Sequence, residues 1–258
     1  MPAIFTDVRA VYFDLDDTLC GYWDACKAAL KETFGLHAPV GHETDGLTLR
    51  WAEAFRAFAP GLRDLGLYEG YLISGRHTRN EQMRRTLALL QIEDEELACR
   101  LGDHYGERRD ANLRLFPDAL ALLDLLRERG YPMGLITNGP ADVQRREVET
   151  LGIAHYFDPI CIEGEVGYGK PDPRVLASAA EAVGQPPERI LFVGNSYRHD
   201  IEPAIRAGWR TAWVRRPSDV PPSADPADAG LPEERPEGAP APDVEIAHLA
   251  ELPSLMGL

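Results

Sequence analysis

No apolar run in the 258 residues approaches the ~20 that a membrane-spanning helix needs. The opening Met-Pro-Ala-Ile-Phe-Thr-Asp lacks the basic start and long apolar core of a secretory leader. Neither a membrane association nor export is therefore expected, and a cytoplasmic location is. Cysteine is sparse, and Cys20, Cys26, Cys99 and Cys161 have no CxxC spacing, which argues against a disulfide frame or a zinc site. Each is expected to be a reduced, small core residue. Positive charge is short as well: 27 Lys and Arg stand against 42 Asp and Glu, for a net charge of −15. Attraction to a nucleic acid polymer or an anionic membrane needs clustered cations, so neither is expected as a partner. A small anionic ligand would need a local cation to offset this field. No internal repeat is evident.

What is present is an ordinary globular composition, 44% hydrophobic and 27% charged, in a chain long enough for a proper core. Residues Ala10 to Phe13 are consecutively apolar and read as a short buried strand, and Asp14, Asp16 and Asp17 follow directly. In parallel α/β sheets ligands bind outside the carboxyl ends of the strands, which would bring these carboxylates to the mouth of a crevice. Asp14 and Asp16 share a face if the chain stays extended. Like charges that close raise each other's pKa unless a cation lies between them, so the stretch points to a divalent metal with one carboxylate free for chemistry. An acidic turn with Asp as a helix N-cap is the alternative.

From Gly21 to about residue 114 the pattern turns helical. Helices are expected over 24–34, stopped by Gly35, over 45–58, stopped by Pro60-Gly61, and over 78–90 and 94–108. They need each other's apolar faces, so 21–114 reads as an inserted helical module. Pro117 then opens a helix over 118–129 that Gly130 ends. Strands expected at 133–136, 159–162, 190–193 and 211–214 alternate with helices at 142–151, 174–183 and 201–207; 244–246 would add an edge strand and 248–255 a closing helix. Such alternation predicts an α/β fold with a parallel sheet, right-handed crossovers and helices on both faces. Residues 217–243 break the pattern with eight prolines and seven acids to one base, and are expected to form a mobile surface loop.

The expected strand ends carry polar residues of particular kinds. Thr137-Asn138-Gly139 offers a hydroxyl and backbone N–H groups to an oxyanion, or a plain helix cap. Gly164 to Lys170 fits GxxxxGK, yet Pro171 occupies the Ser/Thr position and cannot donate an N–H, so a nucleotide P-loop is rejected. Lys170 reads instead as a point charge on a stiff loop. Gly194-Asn195-Ser196 with Asp200 brings another carboxylate to the same edge.

Taken in order, Asp14-Leu15-Asp16-Asp17-Thr18, Thr137-Asn138, Lys170-Pro171 and Gly194-Asn195-Ser196 with Asp200 resemble the four motifs of the haloacid dehalogenase-like (HAD) hydrolases, in the phosphatase branch with a type 1 helical cap. The resemblance covers nearly the whole chain outside the Pro-rich loop. It implies a Rossmann-like parallel sheet core built from 1–20 and 115–258, with 21–114 as the α-helical cap. It implies that Asp14 is a nucleophile forming an aspartyl-phosphate, and that Asp16 protonates the leaving oxygen and then deprotonates water. Magnesium would be held by Asp14, the Asp16 carbonyl and Asp200. Thr137, Lys170 and the Asn138 backbone would bind the phosphate and stabilise its transfer. This fourth motif usually begins Gly-Asp. Here Asn195 keeps an oxygen for the metal and removes one charge, so it is a further candidate ligand and weaker magnesium binding is expected.

The expected activity is magnesium-dependent hydrolysis of a small phosphorylated metabolite by a monomer or homodimer. Asp16 argues against a haloacid dehalogenase, since a departing halide needs no proton donor and an alkoxide benefits from one. A phosphomutase is the closer alternative, and Asn195 leaves open a catalytically retired binding module. In the cap, Arg50, Arg76, Arg79, Arg84 and Arg85 could meet an acidic substrate and Trp23 or Trp51 could stack on a base or sugar, although a solvated face or a core position is the plainer reading of each. His199 is read as a loop residue near the site without assigned chemistry.

Overall fold

A computed structural model describes residues 2–224 and 233–258. At its centre β1 (Ala10–Phe13) is buried along its whole length, as a strand covered on both faces must be. With β2 (Met133–Thr137), β3 (Ile160–Ile162), β4 (Ile190–Gly194), β5 (Arg210–Val214) and β6 (Val244–Ile246) it makes a sheet ordered β3-β2-β1-β4-β5-β6, parallel throughout. The chain leaves β1 on one side, returns to β4 on the other, and so opens a crevice at the carboxyl ends of β1 and β4.

Alternation along β1 sends Val11 and Phe13 to one face and Tyr12 to the other. The first face packs under α6 (Pro117–Glu128), α7 (Ala141–Thr150) and α11 (Leu252–Met256) through residues such as Leu123, Val148 and Leu252. The second packs under α9 (Pro173–Val183) and α10 (Glu202–Arg206) through Val175, Leu176 and Ala204. This is the Rossmann-like layering expected of the core. Before α9, the short α8 (Glu163–Val166) follows β3 directly.

Five helices are inserted after β1, and all but the third share an apolar core of their own, centred on Leu30, Phe34, Trp51, Met83, Leu101 and Tyr105. They are α1 (Tyr22–His37), α2 (Thr44–Phe58), α3 (Tyr68–Ile73), α4 (Gly75–Ala88) and α5 (Glu95–Asn112). Several bounds differ from expectation. Gly35 does not stop α1; the helix yields at Ala38, extended at ψ 136°, because the residue before Pro39 is disfavoured in helical backbone. The six-residue α3 buries no side chain, so it carries no apolar period to read. α4 begins three residues early because its end is capped from afar: Asp142 of α7 accepts from the Gly75 N–H at 3.0 Å and from the Ser74 hydroxyl at 2.7 Å. Cys20 and Cys26 are buried as expected, whereas Cys99 and Cys161 are half-buried.

The Pro-rich stretch makes contacts that its composition does not announce. Residues 225–232 lie outside the described residues, but the rest of 217–243 is tied to the core. Glu233 accepts from the Tyr197 N–H at 2.8 Å and the Ser196 hydroxyl at 3.0 Å, the Tyr197 hydroxyl donates to Pro240 O, and Asp243 accepts from Thr211 N. Arg56 of α2 donates to Ser223 O at 2.7 Å. Its acids find N–H donors freed at strand and turn ends, which composition alone does not reveal.

The sheet tolerates little at Gly134, where a Cβ would fall 2.0 Å from Cε1 of Tyr12, whose own hydroxyl is fixed on Ala179 O at 2.7 Å. Gly134→Ala should therefore lower the unfolding free energy by about 1–3 kcal/mol in denaturant titrations. Gly46→Ala, on exposed α2 with nothing within 4 Å, should not. A wild-type midpoint for Gly134→Ala would refute this packing.

Candidate active site

The Asp14 N–H donates to Val193 O at 3.0 Å, which extends the sheet one residue and turns the carboxylate into the crevice. Lys170 meets it there: Nζ lies 2.6 Å from Asp14 Oδ1 and 2.7 Å from Asp200 Oδ1. Lys170 is one of three lysines in the chain and is 4% exposed, while Lys27 and Lys31 lie on exposed positions of α1. Asn138 at the end of β2 clamps its backbone from both sides, accepting from Lys170 N at 2.8 Å and donating to Lys170 O at 2.6 Å. The side chain of Asn138 thus holds the lysine loop. Asp200 takes its second hydrogen bond from Ser196 N at 2.9 Å, and Gly194 makes room for it, since a Cβ there would sit 2.5 Å from Oδ2.

Asn195 faces the other side of Asp14. The Thr18 hydroxyl lies 3.0 Å from Asp14 Oδ2 and 3.2 Å from Asn195 Oδ1, so these two oxygens converge. The Asn195 amide donates to Asp219 at 2.8 Å, which brings a carboxylate from the Pro-rich stretch beside the fourth motif. Asp200 engages both its oxygens with protein donors, whereas Asn195 Oδ1 stands next to Asp14 Oδ2 across the Thr18 hydroxyl.

Asp16 is set by a relay on α7. Thr137 donates to Gln144 Oε1 at 2.5 Å and Gln144 Nε2 donates to Asp16 Oδ2 at 3.0 Å. Glu147, one turn on and fully covered, faces Arg109 of α5 at 3.6 Å, and Arg109 also holds Asp110 at 2.6 Å. Gln144, Glu147, Arg109 and Asp219 were not foreseen. A signal existed for the first two: polar residues at i and i+3 between the apolar Val143 and Val148 of one buried helix face.

Burial dominates the electrostatics. It pushes Asp14 and Asp16 up to about 6, against the pull of Lys170 on Asp14 and of the Gln144 amide on Asp16. Asp219 is likewise pushed up to about 6 and Asp17 to about 9, while Asp200 and Glu147 are raised. Burial works against the Lys170 charge, but Asp14 and Asp200 outweigh it and hold the ammonium above its ordinary value. Carboxylates outnumber cations here, an imbalance that a divalent cation relieves. Among the described residues no three His, Cys, Asp or Glu side chains form a metal cage. Asp14 and the Asn195 amide oxygen, which converge at Thr18, offer oxygen donors of mixed charge, of the kind magnesium takes while keeping waters.

Above these groups lies a chamber of about 430 Å³ between core and cap. Asp14, Asp16, Thr137, Asn138, Lys170, Asn195 and Asp200 all line it, as do Trp23, Trp51 and the exposed His199. Of the arginines singled out in the cap, only Arg79 reaches it; Arg50 pairs with Glu53, Arg76 with Asp103, and Arg84 and Arg85 with Glu81.

The model of the haloacid dehalogenase-like hydrolases matches residues 8–208, and a second HAD-hydrolase-like model matches 167–252. The chain is similar to phosphoserine phosphatase of Thermus thermophilus, at 31% identity covering 95% of this chain and 98% of the relative. In fold it resembles the magnesium-bound HAD-hydrolase YfnB of Bacillus subtilis, with a TM-score of 0.71 at 20% identity over 97% and 99% of the two chains. It also resembles L-2-haloacid dehalogenase of Xanthobacter autotrophicus, with a TM-score of 0.68 at 23% identity over 97% and 98%.

Asp17 makes the charge imbalance measurable. It sits at φ 58°, a conformation Asn adopts readily, and accepts only from Trp23 N, at 3.1 Å, a bond that an amide oxygen can also make. Its carboxyl stays protonated in the folded chain up to about 9 but ionises near 3.8 when unfolded, so its stabilising contribution is complete below 3.8 and is lost as pH rises toward 9. In chelator, Asp17→Asn should therefore match wild type near pH 4 and exceed it at pH 9. A gain of at least about 2–4 °C in melting temperature, the equivalent of 1 kcal/mol for a domain of this size class, is expected. A difference independent of pH would refute the burial argument.

Proposed function

The chain belongs to the haloacid dehalogenase-like hydrolase family and is a phosphoester hydrolase within it, and we propose that it cleaves small phosphomonoesters through an aspartyl-phosphate on Asp14 with magnesium bound beside it. The observation that carries this reading is Asp16. It is an acid two residues after the nucleophile, lines the same chamber, is raised to about 6 by burial and is oriented by Gln144. Such a group retains a proton for a departing alkoxide close to neutral pH, which carbon–halogen cleavage would not need.

In the first step the Asp14 carboxylate attacks phosphorus while the bond to the leaving oxygen breaks, and the Asp16 proton passes to that oxygen. In the second, the Asp16 carboxylate takes a proton from an attacking water. The bond between Asp14 and phosphorus then breaks, releasing inorganic phosphate and restoring both acids. Lys170 offsets negative charge at Asp14 and on the phosphoryl oxygens, the Asn138 N–H would donate to the same group, and the Thr137 hydroxyl, which donates to Gln144, would join them by turning from that bond. Asp200 holds Lys170, and Asp14, the Asp16 carbonyl and Asp200, with Asn195, would hold the metal. Magnesium supplies charge neutralisation of the phosphoryl oxygens when bound. The cap screens the aspartyl-phosphate from bulk water. A cytoplasmic location accords with the free thiols of the described cysteines.

The test is hydrolysis of p-nitrophenyl phosphate with and without magnesium, with magnesium binding followed separately by the shift in melting temperature. Asp14→Asn should abolish turnover. Asp16→Asn should slow an alkyl phosphate by about 10²–10⁴ and spare p-nitrophenyl phosphate more, because that leaving group needs less protonation. Turnover surviving in Asp14→Asn would overturn the mechanism.

A further inference from the structure

The chamber is far larger than the chemistry at its floor requires. Its 430 Å³ falls in the range of about 300–1,000 Å³ typical of pockets for drug-sized ligands. A leaving group of two or three carbons would leave most of it empty. Its cap wall is aromatic: Trp51 stacks on Phe55 with centroids 5.0 Å apart and planes at 22°, Tyr105 approaches Trp51 at 6.2 Å, and Phe58 continues the wall. A flat, paired aromatic surface favours another flat ring.

One cation in this wall has no partner among the described residues. Arg79 forms no ion pair and donates no hydrogen bond from its guanidinium to any described residue, and its Nε is buried and unsatisfied. Its position is built, not incidental. A Cβ on Gly75 would approach Nη1 to 2.8 Å, and one on Gly106 would approach Nε to 3.0 Å, so two helices each lack a side chain where the guanidinium lies. Arg109, the other arginine of the chamber, is already held by Asp110 and Glu147. In a chain of net charge −15, an unpaired, half-buried guanidinium is a costly feature unless a ligand anion completes it. Nearby, the buried Trp51 Nε1 and Gln82 Oε1 also lack partners, leaving further polar capacity in the same wall.

Building on the phosphatase reading, we propose that the natural substrate is a phosphomonoester of a planar aromatic alcohol bearing a carboxylate. The ring lies against Trp51 and Phe55, the carboxylate pairs with Arg79, and the phosphate sits at Asp14.

Phenyl phosphate, 4-carboxyphenyl phosphate, phosphoglycolate and glycerol phosphate separate ring from anion. The wild type should favour 4-carboxyphenyl phosphate over each of the others by about tenfold or more in kcat/KM, mainly through KM. Arg79→Met should reduce the carboxyphenyl-to-phenyl ratio to within about twofold, and Arg79→Lys should restore part of it. An unchanged ratio in Arg79→Met would overturn the subsite, and a preference for phosphoglycolate would overturn the aromatic component. If no phosphomonoester is hydrolysed, the phosphatase mechanism fails while the subsite remains testable by calorimetry with 4-hydroxybenzoate. Binding to wild type that Arg79→Met abolishes would support the subsite, and equal or absent binding would overturn it.

Discussion

The ammonium of Lys170, wedged between Asp14 and Asp200, is the interaction on which the arrangement of the strand ends depends. All three groups are covered, and breaking such a set by removing one partner typically costs about 3–5 kcal/mol because the remaining charges stay buried. That penalty forces three separate segments to meet at one point: the end of β1, the loop before α9, and the turn after β4. The supporting parts follow from it. Asn138 fixes the backbone of the lysine loop, and Gly194 leaves the volume that the Asp200 carboxylate occupies. A pair of neutral residues in the same volume would pack at lower cost, so the triad is better understood as a device for chemistry than for stability.

Asp16 depends on a second and different arrangement, because it answers to the cap. Gln144 and Glu147 stand on neighbouring turns of α7, and Glu147 faces Arg109 of α5 across the boundary between core and inserted helices. The same boundary is crossed at Asp142, which caps α4, and at Glu163, which accepts from the Tyr68 hydroxyl. Gly164 permits the approach, since a Cβ there would lie 2.2 Å from Leu72 O. Core carboxylates therefore dock the cap with polar, directional contacts. An insertion held this way can separate without exposing a large apolar face, which suits a lid over a chamber that must admit substrate.

Much of the fold was legible because buried parallel strands announce themselves as consecutive apolar residues, as at 10–13 and 190–193, with polar clusters at the ends where ligands bind. Asp14, Lys170 and Asp200 were legible for the same reason, and they meet within hydrogen-bonding distance. The parts that were missed lack that redundancy. Gly35 reads as a stop, yet an exposed glycine costs a helix only about 1 kcal/mol, less than the turns on either side contribute. The contacts of the Pro-rich stretch were not legible because composition carries no information about donors elsewhere, and Asp219 and Glu233 found theirs around Asn195 and Tyr197. Gln144, Glu147 and Arg109 are isolated polar residues on helix faces, whose meaning exists only once three elements are packed.

The charge of the whole chain sharpens the role of the few cations left unpaired. A net charge of −15 repels an anionic ester at long range, though ions screen that repulsion beyond a Debye length of about 8 Å at physiological salt. Inside the chamber screening fails, so recognition rests on local charge. Lys170 is paired with Asp14 and Asp200, and Arg109 with Asp110 and, at 3.6 Å, Glu147. Arg50 of α2 and Arg76, Arg84 and Arg85 of α4 are paired with glutamate or aspartate. On the reading proposed above, net attraction for an anion rests on a metal at the floor and on Arg79 in the wall. A substrate with a single charge could use one of these, whereas a rigid substrate with charges at both ends could use both. Two charge sites separated by an apolar span act as a ruler, because a flexible or short molecule that reaches one forfeits the other or loses conformational entropy in doing so. On that reading, discrimination in this site would be set by the distance between anions as much as by their number.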